Sequence, residues 1–100
     1  MAIIYHVTSA TEWNNAKAKG EYVAPSLAIE GFIHCSHDRQ VAGVLDRYYK
    51  GKADLVKLVI DTSLLEHELK EEFSLSVNDH FPHIFGPINV DAVVEVIAIS

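Results

Sequence analysis

The chain has one cysteine, three prolines, one methionine and only eight basic residues in 100. Each shortage closes off a class of protein. With Cys35 alone, no intrachain disulfide can form. A small domain without one suits a reducing compartment, so the expected location is cytoplasmic. Eight Lys and Arg against fourteen Asp and Glu leave a net charge of −6. Neutralising phosphates along a nucleic acid needs clustered bases, so no nucleic-acid partner is expected. No stretch approaches about 18 apolar residues, and Met1 to Tyr5 is too short for a signal core and lacks a basic flank. No membrane partner is expected either. Repeats, low-complexity tracts and linkers are missing too, and residues 1–100 read as a single domain.

What is present is apolar: 49% hydrophobic against 22% charged, a globular balance. "AIIYHV" (Ala2 to Val7) predicts a mostly buried first strand. Ser9 and Glu12 have the spacing of a capping box, predicting a helix to about Lys19 that stops at Gly20 with Trp13 and Ala16 inside. Glu21 to Gly31 shows no sustained period and reads as a loop with one helical turn. After "FIHCS", a strand, Val41, Val44, Leu45 and Tyr48 recur at helical spacing, with Ser36 or Asp38 as the cap and Gly51 as the stop. "DLVKLVID" (Asp54 to Asp61) and "AVVEVIAIS" (Ala92 to Ser100) predict two central strands. Glu68 to Ser76 reads as a half-exposed strand, and "FPHIFGP", carrying two prolines, as a sheet edge or an irregular run. About five strands and two helices give an α+β class with a mostly antiparallel sheet.

Six histidines in 100 residues stand out, and three of them, His6, His34 and His83, are embedded among Tyr, Phe, Ile and Val. Imidazole is valuable in such places because each ring nitrogen can donate or accept and its pKa lies near neutrality. Strand alternation puts His34 with Ser36 on one face and Ile33 with Cys35 on the other, while His6 and Thr8 share a face. Were the two strands neighbours, these four polar residues would line one cleft. The plainer reading has each imidazole satisfying a backbone carbonyl. A zinc site from His34, His37, His80 and His83 lacks any established ligand pattern, and Cys35 points away from His34. Phe81 and Phe85 either fill the core or frame a flat ring. Glu71 and Glu72 read as solvated, with alternation sending only one of them inward.

The order "IYHVT", "GFIHCS", Gln40 at a helix start and "FPHIFGPIN" before a last apolar strand resembles the domain of unknown function 952 family of small bacterial proteins. That resemblance implies an ADP-ribosyltransferase-like fold, small mostly antiparallel sheets around a cleft with two helices. It also implies a small-molecule nucleotide as partner, NAD or an ADP-ribose-like group. Position by position, it makes His6 with Thr8 the ribose-binding pair and His34 with Ser36 the second motif. His83 stands where transferases of that fold usually carry a catalytic glutamate, and a histidine there supplies no fixed negative charge. On this reading His6, His34 and His83 are the catalytic candidates, with Thr8, Ser36, Phe81 and Phe85 as ligand contacts. The competing expectation is a non-catalytic module that keeps the fold for a small ligand or a protein partner.

Overall fold

The computed structural model describes residues 2–99. They form an α+β fold of three small antiparallel sheets and three short helices. Strands β1 (Ile3–Ser9), β4 (Leu55–Asp61) and β8 (Val93–Ala98) make one sheet in the order β1-β4-β8. A second pairs β2 (Glu21–Tyr22) with β7 (Ile88–Asn89), and a third runs β3 (Ile33–His34), β6 (Asp79–Ile84), β5 (Leu69–Ser74). The helices are α1 (Ala10–Lys19), α2 (Pro25–Glu30) and α3 (Val41–Tyr48). Among the described residues no helix is long and apolar enough to cross a membrane.

Local chemistry explains the clearest elements. The Ser9 side chain accepts from the Glu12 N–H at 3.0 Å and opens α1, while Gly20, at φ 91°, closes it in the left-handed region that a side chain would resist. Trp13 and Ala16 face inward, as their spacing predicts. Strand β4 is buried almost throughout, the fate of an unbroken apolar run. Its Leu58 and Ile60 join Ile33, Ile84 and Ile88 at 0% exposure.

Four expectations change. The single helical turn expected within the loop Glu21–Gly31 is a six-residue helix, Pro25–Glu30, begun by its proline. The cap before α3 is neither Ser36 nor Asp38. A 3-10 turn at Asp38–Gln40 follows His37, whose backbone N–H donates to Gln40 Oε1 at 2.8 Å. Strand β8 lies at an edge and not at the centre, with Val94 54% exposed, because only β4 pairs with it among the described residues; Ser100 of that expectation lies outside those residues.

The fourth concerns "FPHIFGP", expected at an edge. Most of it forms β6, the middle strand of its sheet. Pro82 fits there because its carbonyl accepts from Cys35 N–H at 3.0 Å on the β3 side, just where that two-residue strand ends. The nitrogen and carbonyl of Pro82 both turn toward β3, so its missing N–H takes no hydrogen bond from the β5–β6 ladder.

Candidate functional site

Register brings the motifs together. His34 on β3 lies directly opposite His83 on β6, and the two rings meet edge to face with centroids 5.1 Å apart. A separate bridge, Tyr5 N–H to the Ser36 carbonyl at 2.8 Å and Ser36 N–H to the Tyr5 carbonyl at 2.7 Å, docks the segment after β3 on β1. A hollow of about 880 Å³ results, lined by His6, Thr8, His34, Ser36, Phe81 and His83 among others. Six of the seven residues singled out in the sequence thus share one cavity. Phe85 does not line it; its ring packs against Phe32 at 5.5 Å.

The three histidines differ sharply in what is left for a ligand. His6 is buried, with Nδ1 on the His34 carbonyl and Nε2 2.9 Å from the Tyr22 hydroxyl. A carbonyl only accepts, so Nδ1 carries the proton and Nε2 accepts from Tyr22. The 3.0 Å contact between the Tyr22 and Thr8 hydroxyls is then donated by Thr8. Burial lowers the His6 pKa to about 4, the carbonyl contact opposing it only in part, and raises that of Tyr22 to about 12. His6 is therefore neutral at pH 7, and its nitrogens and the Thr8 hydroxyl are committed to the wall of the cavity. Their chemistry is positional.

The other two histidines are each held by one carboxylate. His34 Nε2 lies 2.9 Å from Glu30 Oε2, its side chain 54% exposed, and His83 Nδ1 lies 2.7 Å from Glu72 Oε1. Phe32 stacks on the His83 ring at 4.0 Å between centroids. In each pair the second ring nitrogen has no protein hydrogen bond among the described residues. An imidazole gripped through one nitrogen by a carboxylate presents the other in a fixed direction, an arrangement suited to orienting a hydroxyl or moving a proton.

Sequence reasoning left open which of Glu71 and Glu72 turns inward, and it missed Glu30. Glu72 faces Phe81 across the β5–β6 ladder, and no local signal reveals that register; Glu71, on the other face of β5, reaches His37 Nε2 at 2.7 Å. Glu71 is on the solvated side as expected, and alternation turns only Glu72 toward the cavity histidines. Glu30 stands four residues before His34, a spacing visible in the sequence but hidden by reading that segment as a loop with one helical turn. Cys35 belongs to the core, and burial pushes its thiol pKa up, which disfavours the thiolate. Among the described residues no group of three or more His, Cys, Asp and Glu converges as metal ligands do.

The buried hydroxyl chain makes a direct prediction. Tyr22→Phe leaves His6 Nε2 and the Thr8 hydroxyl without their shared partner in a dry place, which costs about 1 to 3 kcal/mol of stability in urea unfolding. A change below about 0.5 kcal/mol would show that water replaces the phenol at no expense.

Comparison with known proteins places this arrangement. No curated protein matches the chain. Among solved structures, the crystal structure of protein CC0527 from Caulobacter crescentus is 32% identical, with a TM-score of 0.86 over 95% of this chain and 83% of that one. A solution NMR structure of the same protein gives 33% identity and a TM-score of 0.80, covering 96% of this chain and 83% of that one. The model of the family described as "Protein of unknown function (DUF952)" matches residues 7–96. The chain belongs to the DUF952 family.

Proposed function

We propose that the cavity is an ADP-ribosyltransferase-like cleft that binds an anionic nucleotide of the NAD or ADP-ribose class. The observation that carries this reading is a pair of unpartnered cations in the wall. The chain is −6 overall, yet the hollow is lined by Arg47 and Lys52 with Glu12 as the only carboxylate in its wall, while Glu30 and Glu72 stand behind it, each engaged to a histidine. Neither cation is ion-paired among the described residues. Unpaired cations facing a hollow in an acidic protein favour a ligand carrying phosphates.

Size and chemistry agree with such a guest. A hollow of about 880 Å³ is within the ordinary range for small-molecule sites. Phe81 would stack a base, Arg47 and Lys52 would meet phosphates, and His34, His83 and Ser36 would hold ribose hydroxyls. NAD, if bound, would bring a glycosidic bond to nicotinamide whose cleavage builds positive charge on the ribose. Here the protein's own contribution is charge placement: Glu72, one hydrogen bond behind His83, returns a carboxylate to a region where the motif itself offers only imidazole.

The test is a thermal-shift titration with ADP-ribose, NAD and nicotinamide. At about ten times Kd, ADP-ribose raises the Tm of the parent by about 6 to 11 °C, and His83→Ala removes most of that rise. No shift with either nucleotide at millimolar concentration would return the domain to the non-catalytic interaction reading.

A further inference from the structure

The geometry points to Gly43 as the residue that sets Arg47 for phosphate recognition, which makes Arg47 the principal anion ligand of the cavity. This rests on the nucleotide reading above but is carried by a separate observation. Gly43 sits inside α3, where glycine is unfavourable relative to alanine, and its backbone is ordinary right-handed helix. Conformation does not demand it. The three atoms nearest to where its Cβ would stand all belong to the Arg47 guanidinium, the closest at 2.9 Å. One turn along the helix, Arg47 uses the empty place to lay its head group along the helix surface.

That head group stands at a junction. Arg47 lines the main hollow and also a smaller one of about 150 Å³ that includes Arg39 and Asp79. Arg39 is not available to a ligand, because its two terminal nitrogens are occupied by the Asp79 carboxylate at 2.6 and 3.1 Å. Arg47 has no carboxylate partner among the described residues and only a cation-π contact with Tyr48 at 5.7 Å. An unpaired guanidinium lying in the space left by a glycine is placed for a planar, two-pronged grip on phosphate. The added methyl of Gly43→Ala would push the fork out of that position, a cheap move for a flexible side chain and a costly one for recognition.

Calorimetry with inorganic pyrophosphate tests the assignment. Affinity falls about tenfold or more in Gly43→Ala and in Arg47→Gln. The ligand-free Tm of Gly43→Ala rises by about 4 °C, since alanine is the better helix former. A glycine kept only for packing would instead lower the Tm, and that result overturns the inference. So does an affinity unchanged by Gly43→Ala, or a parent that does not bind pyrophosphate. ADP-ribose titrated alongside separates the two readings. A parent that binds pyrophosphate but not ADP-ribose keeps the role of Arg47 and removes the nucleotide. Equal ADP-ribose binding by parent and Gly43→Ala keeps the nucleotide and removes Gly43 and Arg47.

Discussion

Lowering the pH from 6.5 to 4 destabilises the protein by an amount of which His6 alone contributes on the order of 3 kcal/mol. Its pKa lies near 6.5 in the unfolded chain and about 4 in the folded one, chiefly because charging the ring would place a cation in a dry wall. Over that window the unfolded state binds the proton and the folded state does not, so stability falls with pH. The contribution is complete above pH 6.5 and gone below about pH 4. At about 1.4 kcal/mol per pH unit, a displacement of this size is a large share of a typical domain's stability. Carboxylates also titrate near the lower end, so urea unfolding of the parent is compared with His6→Gln, which lacks the titrating ring. The variant is weaker at pH 7.5 and flatter between pH 6.5 and 4. Parallel curves for the two proteins, or an NMR titration putting His6 near 6.5, would remove the buried neutral imidazole from the account.

Ile84→Ala lowers stability by about 2 to 5 kcal/mol, the cost of lost burial plus a cavity that the neighbours fill only partly. Ile84 is 0% exposed and lies in the middle of its sheet, opposite Ile33 on β3 and opposite Leu69 on β5. Its loss therefore loosens all three strands at once. His34 and His83 ride on two of them, one position along the ladder, so the spacing of the two rings depends on this row. Leu75→Ala, at a side chain 89% exposed, changes stability by less than about 0.5 kcal/mol and serves as the control. Urea midpoints that are the same for the two variants would show that the row is not a unit of the core.

Family membership, the α+β class and the positions of most strands and helices are legible from the letters because their causes are local. Ser9 with Glu12 and Gly20 bound α1 through groups within one turn of each other. The apolar run of β4 marks a buried strand wherever that strand is placed. The imidazoles could likewise be singled out by their apolar neighbours, and the cavity gathers the three chosen.

Pairing is a different kind of information. The letters could not say that residue 34 faces residue 83, that Glu72 comes to rest beside His83, or that β8 has a neighbour on one side only. Nor could they say that both nitrogens of His6 are occupied while the other two rings keep one nitrogen free for a ligand. Near-identical local settings gave the three histidines one description. Their partners come from segments far away in the chain, chosen by the packing of three sheets. The sequence by itself thus determined which elements exist and which residues carry chemistry; register and burial, which depend on contacts across the whole chain, decided which of those residues act on one another.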